Sequence, residues 1–235
     1  MAGLKLGQYP LDKPFMNSTT QGIGMTSART RKRLAAILSD AGIKNSQVLS
    51  AMQDVPRHLF VDEALATRAY ENTALPIGFG QTISQPYVVA LMCEHLLSGA
   101  RLGPVLEIGT GCGYQAAVLA KLFEKVVSVE RVGELCRQAR DRLFTLKFYN
   151  IHCVHGDGFQ GFAERGPYNG IIAAAASDDV PPALLEQLAP RGRLVMPIDR
   201  GQKQSLIVID NDGNGFTERE LETVKFVPRV SGVTP

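Results

Sequence analysis

From Pro104 onward, short apolar segments alternate with stretches whose apolar residues recur at helical spacing. This alternation predicts a parallel sheet that is covered by helices on both faces and joined by right-handed crossovers. The sequence therefore predicts a doubly wound, Rossmann-like α/β fold. The predicted strands are residues 105–108, 126–129, 151–154, 170–175 and 193–196, and the predicted helices are residues 114–122, 133–146 and 182–188.

Two more apolar segments follow, residues 205–210 and 218–227, with only the Gly- and Asn-rich residues 211–217 between them. This connection is too short to contain a crossover helix. We therefore expect the last two strands to form an antiparallel hairpin at the end of the sheet. The predicted sheet then has seven strands and is mostly parallel.

Composition excludes several classes of protein. The chain has 235 residues, with 25 Lys and Arg against 23 Asp and Glu, so it lacks the basic excess that is typical of nucleic-acid-binding proteins. It has no apolar run of about 18 residues that could span a membrane. Its four cysteines form no C-x-x-C pair and its first residues do not resemble a signal peptide, which indicates reduced thiols and a cytoplasmic protein. We expect a monomer with no nucleic-acid or membrane partner.

The chain divides into an arm and one domain. Residues 1–24 are rich in Gly, Pro and polar residues without apolar periodicity, which predicts a flexible N-terminal arm. Residues 25–235 form a single predicted domain, in which 25–100 are a helical and loop subregion and 101–235 are a cofactor-binding core. The subregion has predicted helices at 29–42, 46–52 and 87–97, and a long irregular loop at 56–86. Long loops inside compact domains are usually functional.

A glycine-rich loop, Glu-Ile-Gly-Thr-Gly-Cys-Gly at residues 107–113, follows the first strand of the α/β region. Doubly wound sheets bind nucleotides at this point. A dinucleotide fingerprint would have Gly or Ala at position 114, and Tyr114 therefore disfavours a nicotinamide site. Glu107 would repel a pyrophosphate but attract an ammonium group. The glycines that would let the backbone approach a ligand closely are Gly109, Gly111 and Gly113.

Two further acids lie at successive strand ends. Glu130 is 21 residues beyond Gly109, near the offset at which a carboxylate accepts from ribose hydroxyls. Asp157, which precedes Gly158, could accept from the exocyclic amino group of adenine. Each acid alone could also be a solvated strand end or a turn former, and for Glu130 alone this is the simpler interpretation. Together with Glu107, however, they describe sites for an amine, a ribose and an adenine without a phosphate-binding loop, which indicates S-adenosylmethionine.

These residues resemble the seven-stranded class I methyltransferases that depend on S-adenosylmethionine. More specifically, residues 74–86, with 57–61 and 226–228, are similar to the protein-L-isoaspartate O-methyltransferase family, and the similarity covers about residues 25–230. The resemblance implies methylation of the free α-carboxylate of L-isoaspartyl residues in damaged proteins and peptides, with S-adenosylhomocysteine as product. It also implies that Ser84 donates to the substrate carboxylate, that Thr82 lies near the sulfonium, and that Gln81 and Ile83 lie beside the cofactor.

Several alternatives stay open at this point. Ser84 could instead cap the helix that follows Pro86. Cys112 could be a nucleophile, although methyl transfer needs no covalent intermediate and a small filler is the simpler interpretation. The four histidines have no metal-ligand spacing, so no metal site is predicted. Relative to the family, Ala174, Cys112 and Phe79 are departures, of which Phe79 bears on substrate selectivity.

Two other functions compete with this interpretation. The first is a methyltransferase of the same fold that acts on small molecules or nucleic acids. The chain lacks the Asn/Asp-Pro-Pro-Tyr type of motif used for amino-group methylation of bases. The second is a nucleotide-binding module without catalytic activity, which would bind the cofactor and modify no peptide.

Overall fold

The computed structural model describes residues 22–99, 103–228 and 230–234. The helices are α1 (Ala28–Asp40), α2 (Ser46–Asp54), α3 (Pro86–Gly99), α4 (Tyr114–Leu122), α5 (Gly133–Thr145) and α6 (Pro182–Glu186). The strands are β1 (Leu75–Gly78), β2 (Gln81–Ile83), β3 (Val105–Ile108), β4 (Val126–Glu130), β5 (Ile151–His155), β6 (Tyr168–Ala173), β7 (Leu188–Asp199), β8 (Gln204–Asn211) and β9 (Phe216–Val224).

Seven strands form the main sheet in the order β5-β4-β3-β6-β7-β8-β9. Strands β3 to β7 pair in parallel, whereas β8 is antiparallel to both β7 and β9. The predicted fold class and the terminal β8–β9 hairpin are confirmed. Since β3 is flanked by β4 on one side and β6 on the other, the strand order reverses there, and such a switch point opens a crevice at the carboxyl ends of the strands.

The central strands β3 and β4 are completely buried because both faces of the sheet are covered there, which explains their mostly apolar sequences. Val105 on β3 packs into one core with residues of α1 to α4, such as Leu38 and Met92. Its neighbour Leu106 points to the opposite face and packs into a second core with Leu184 of α6 and Ile207 of β8. This alternation fixes the direction of every side chain along β3.

Three details of this region differ from the prediction or were not predicted. Strand β7 is longer than residues 193–196, and its pairing with β6 is irregular near Arg191, whose φ is 63°. Strand β8 also pairs antiparallel with β7, because only residues 200–203 connect them. The predicted helix at 182–188 ends at Glu186, where the chain enters β7.

The predicted loop 56–86 contains a small antiparallel hairpin, β1–β2, which the sequence did not reveal. Its turn, Gly78-Phe79-Gly80, has three successive positive φ values of 87°, 53° and 68°. Phe79 is 54% exposed at the tip. Hairpin and turn present residues 81–84 to the carboxyl edge of the main sheet, where the cleft described below lies.

Most of the predicted N-terminal arm, residues 1–21, lies outside the described residues. Residues 24–26 form a 3₁₀ turn that leads into α1. Among the residues that the structure describes, none of the helices combines the length and the apolar character that a membrane span requires.

Candidate active site

A cleft opens at the carboxyl ends of β3 and β4. The space that its lining residues enclose, with the open mouth included, is about 860 Å³. Eight of the residues predicted from sequence line it: Gln81, Thr82, Ile83, Ser84, Gly109, Gly111, Glu130 and Gly158. The hairpin loop and the glycine-rich loop therefore meet in one cleft.

Glu130 connects this cleft to the glycine-rich loop. Glu130 is only 5% exposed. Its Oε2 accepts a hydrogen bond from Gly111 N at 2.8 Å, and its Oε1 accepts one from Val132 N at 2.9 Å. Each carboxylate oxygen can accept more than one hydrogen bond. Glu130 can therefore hold the loop and still accept from two hydroxyls of a ligand.

Glu107 lies behind the wall of the cleft and does not line it. The residue is completely buried on β3, and its Oε2 accepts from Ser128 Oγ on the paired strand β4. Ser128 Oγ in turn lies 2.5 Å from Oγ1 of Thr110, which does line the cleft. This chain of hydroxyl groups connects Glu107 to the wall of the cleft.

Gln115 is a site residue that the sequence analysis missed. It lines the cleft, is 7% exposed, and neither its Oε1 nor its Nε2 has a hydrogen-bond partner within the described residues. Oε1 of Glu107 likewise has no hydrogen-bond partner within the described residues. Gln115 is nevertheless near enough to Glu107 to lower its pKa. Unpaired polar groups are costly in a protein interior. This part of the cleft thus offers a donor and acceptors that suit a polar ligand group.

Glu107 gives a testable dependence of stability on pH. Burial raises its pKa to about 8, the hydrogen bond from Ser128 opposes this rise, and the charge of Glu130 adds to it. The folded protein therefore retains a proton that the unfolded chain loses above a pH of about 4.3. We expect the ligand-free protein to lose stability as the pH rises from about 4.3 to 8, since the folded state binds more protons there.

Urea unfolding between pH 5 and 9 measures this effect, with Glu107→Gln as the reference because glutamine does not titrate. The stability of the parent protein relative to this variant should fall with rising pH and level off above the pKa of Glu107. A difference that does not depend on pH would contradict the assignment.

Asp157 and Gly113 lie next to the cleft without lining it. Asp157 accepts from Phe159 N through Oδ1 and from Gly232 N through Oδ2, at 2.9 and 2.8 Å. It thereby fixes the C-terminal segment beside the cleft, and its recognition of adenine stays a prediction. Gly113 precedes α4 with φ 90°, and a Cβ there would lie 3.2 Å from Leu143 of α5, so glycine allows these helices to pack closely. Its approach to the cofactor stays a prediction.

Gly158 has a different requirement. A Cβ at this position would collide with Cγ2 of Ile108, so any other residue would require the Ile108 side chain to move. Gly158 therefore allows its backbone to lie flat against the end of β3, at the wall of the cleft.

The helix-cap interpretation of Ser84 is not supported by the local hydrogen bonds. At the beginning of α3, Tyr87 N donates to Oδ1 of Asn72 at 2.9 Å. Ser84 is half-buried and lines the cleft, and its Oγ has no hydrogen bond in the described part of the chain. The hydroxyl is therefore available to a ligand. Thr82, two residues earlier, is exposed and also lines the cleft.

Cys112 lines the cleft as a buried free thiol. Burial raises its pKa above the ordinary value, so the thiol is protonated at neutral pH and is a poor nucleophile. This favours the interpretation of Cys112 as a small filler.

Across residues 22–99, 103–228 and 230–234, no group of three or more His, Cys, Asp or Glu side chains is arranged to hold a metal ion.

The C-terminal segment completes the cleft. Val227, Pro228 and Val230 line it next to Ala174 and Ala175, which follow β6. Ala176 N donates to Val227 O at 3.0 Å and holds the two segments together. In this segment, the sequence analysis singled out only residues 226–228, as part of the family resemblance. Ala174 is one of the departures from that family.

Comparison with known proteins gives a consistent result. Residues 29–234 match the family model described as protein-L-isoaspartate(D-aspartate) O-methyltransferase. Protein-L-isoaspartate O-methyltransferase of Halorhodospira halophila is 57% identical over 211 residues, 90% of this chain and 96% of that protein. The enzyme of the same name from Dechloromonas aromatica is 56% identical over 212 residues, 90% of this chain and 98% of that protein.

Solved structures agree. One described as a protein-L-isoaspartate O-methyltransferase superposes with a TM-score of 0.79 and 28% identity, covering 86% of this chain and 67% of that one. A Plasmodium falciparum protein, solved in complex with S-adenosyl-L-homocysteine, has a TM-score of 0.75 and 26% identity. That match covers 85% of this chain and 98% of the Plasmodium chain.

Proposed function

The chain belongs to the protein-L-isoaspartate(D-aspartate) O-methyltransferase family, and from that premise we propose how its cleft acts. It is a protein repair enzyme that depends on S-adenosylmethionine. It transfers the methyl group to the free α-carboxylate of L-isoaspartyl residues in damaged proteins and peptides, and releases S-adenosylhomocysteine. The observation that carries the proposed mechanism is that Ser84 and Glu130, from opposite halves of the sequence, line the same cleft.

The residues around the glycine-rich loop fit the cofactor. The unpaired amide of Gln115 suits the amino-acid end of the cofactor, which carries an ammonium and a carboxylate group. We assign Glu107, behind this wall, to the ammonium end, whose positive charge would favour the ionised form of Glu107. The spare lone pairs of Glu130 suit the ribose hydroxyls, and Gly109 and Gly158 leave room for close approach. We assign Gln81 and Ile83 to the same cofactor-binding set, with Asp157 as the acceptor for adenine. When bound, S-adenosylmethionine supplies a methyl group on a sulfonium, which is a good leaving group.

The substrate side needs little acid or base assistance, because a carboxylate is already an anion at neutral pH. Positioning should therefore dominate catalysis, and correct alignment of reacting groups contributes roughly 7 to 11 kcal/mol in favourable cases. We assign Ser84 Oγ as the donor that holds the carboxylate and Thr82 as its neighbour near the sulfonium. Ser84 also lies just before the N-terminus of the 14-residue helix α3, whose dipole favours an anion there.

The division of the domain follows from this arrangement. Residues 25–100 supply the substrate-binding loop and residues 101–235 the cofactor-binding core. We further propose a monomeric, cytoplasmic enzyme without a nucleic-acid partner, which the net charge of +2 and the four free cysteines support.

Methyl transfer to paired synthetic peptides that differ only in an isoaspartyl or an aspartyl residue tests the proposed function. The additional backbone methylene of isoaspartate displaces the target carboxylate, and a misplacement of about 1 Å can cost about 100-fold in rate. We expect transfer to the isoaspartyl peptide to be at least about tenfold faster. Equal rates would contradict the assigned substrate. Binding of S-adenosylhomocysteine without transfer to either peptide would instead favour a non-catalytic module.

A further inference from the structure

The Arg57 side chain is completely buried, although none of the chemistry assigned to the cleft uses it. It begins the short 3₁₀ turn Arg57–Phe60, within the 57–61 segment that is typical of the family. Burial of a charged group is costly unless the group is well hydrogen-bonded. An arginine at this position therefore needs a structural or functional reason.

Arg57 binds backbone carbonyls from separate parts of the chain. Its Nε donates to Ala69 O at 2.9 Å. Its Nη2 donates to Thr73 O at 3.4 Å and to Ser84 O at 2.9 Å. Hydrogen bonds from an ionised donor are roughly twice as strong as those between neutral groups. Since Ser84 lies between β2 and α3 and belongs to neither, the bond from Arg57 fixes a carbonyl that no regular element holds.

Arg57 also contacts the cofactor side of the cleft. Its Cζ atom lies 4.7 Å from the centroid of the Tyr114 ring, within the range of a cation–π interaction. Tyr114 lines the cleft and is the first residue of α4, directly after the glycine-rich loop. The planar guanidinium group can bind carbonyls at its edge and an aromatic ring at its face, which a lysine cannot do at once. Arg57 therefore connects the Ser84 loop to the glycine-rich loop.

We propose that Arg57 is a positioning residue that holds Ser84 in its correct place relative to the bound cofactor. This inference rests on the proposed function, in which Ser84 Oγ binds the substrate carboxylate. Arg57 acts through the Ser84 backbone and does not touch the substrate. Its loss should therefore impair methyl transfer by displacement of Ser84 and leave cofactor binding nearly intact.

A double-mutant cycle between Arg57→Lys and Ser84→Ala tests the inference, with single-turnover methylation of an isoaspartyl peptide as the measurement. Lysine keeps the charge but loses the planar fork. We expect Arg57→Lys to slow transfer by about tenfold or more in the parent protein. In the Ser84→Ala background it should slow transfer by less than about threefold, because the hydroxyl that Arg57 positions is already gone. The dissociation constant of S-adenosylhomocysteine should change little in either background.

Arg193→Lys is the matched control. Arg193 is also largely buried, and it donates to both carboxylate oxygens of Asp210 and to His95 O. None of these residues lines the cleft. This variant should have a lower melting temperature and an unchanged rate of transfer at a temperature where all variants are folded.

Equal slowing by Arg57→Lys in both backgrounds would show that Arg57 does not act through Ser84 and would overturn the inference. Failure of both Arg57→Lys and Arg57→Gln to fold, while Arg193→Lys folds, would also overturn it, because Arg57 would then serve folding. If Ser84→Ala alone leaves the rate unchanged, the proposed role of Ser84 fails and this inference fails with it. If Ser84→Ala slows methyl transfer and Arg57→Lys slows it further by the same factor as in the parent protein, only the proposed role of Arg57 is contradicted.

Discussion

Replacement of Glu130 with alanine is expected to weaken the binding of S-adenosylhomocysteine by roughly 1 to 3 kcal/mol, which is about 5- to 150-fold in the dissociation constant. Two losses contribute. The ribose hydroxyls lose a charged acceptor, and Gly111 N and Val132 N lose the carboxylate oxygens that now accept from them. The glycine-rich loop is therefore less well fixed even before the ligand binds.

Calorimetric titration with S-adenosylhomocysteine measures the effect, and two variants separate its causes. Glu130→Gln keeps one acceptor oxygen and should give an intermediate affinity. Glu134→Ala is the control, since Glu134 lies in the first turn of α5, four residues beyond Glu130, and does not line the cleft. Its side chain accepts hydrogen bonds from Arg137 and Gln138 of the same helix. This variant should bind as tightly as the parent protein. An unchanged affinity of Glu130→Ala would remove Glu130 from the cofactor site.

The elements whose bounds were predicted correctly from the sequence are those that neighbouring residues in the chain define. Strand β3 is apolar except for one residue because it is covered on both faces, and α4 begins directly after the glycine-rich loop. The β1–β2 hairpin was missed because its pairing is only three to four residues long and its Gly-Phe-Gly turn resembles an irregular loop in sequence. Pairing of β8 with β7 was missed because the predicted strand ended at residue 196, three residues before β7 ends, which made the short connection between the two strands appear longer.

The candidate site shows the same limit. Glycines and acids at strand ends could be placed from sequence, because parallel strands end at one edge of the sheet. The burial of Glu107 behind the wall could not be predicted, because it depends on the register of Glu107 opposite Ser128 in β4. Gln115 has no signal beyond its place in the first turn of α4. The backbone contacts of Ser84 were equally hidden, since they come from Arg57, 27 residues earlier.

Replacement of Ser84 with alanine should lower the single-turnover rate of methyl transfer by about one to two orders of magnitude. A hydrogen bond to a charged group is worth about 1.5 to 3 kcal/mol, and its loss in the transition state reduces the rate constant accordingly. The affinity for S-adenosylhomocysteine should be nearly unchanged, because Ser84 is assigned to the substrate carboxylate. The melting temperature should also change little, since Ser84 Oγ has no hydrogen bond within the described chain to lose.

Asn72→Ala gives the opposite pattern and therefore identifies the cap of α3 independently. Asn72 Oδ1 accepts from Tyr87 N, and loss of such a cap costs about 1 kcal/mol of stability. We expect this variant to melt at a lower temperature while the rate per folded molecule is preserved. If Ser84→Ala instead melted early and transferred methyl groups at the parent rate, Ser84 would be a structural residue. The carboxylate would then have to be held by another group in the cleft, and Thr82 is the nearest hydroxyl along the loop.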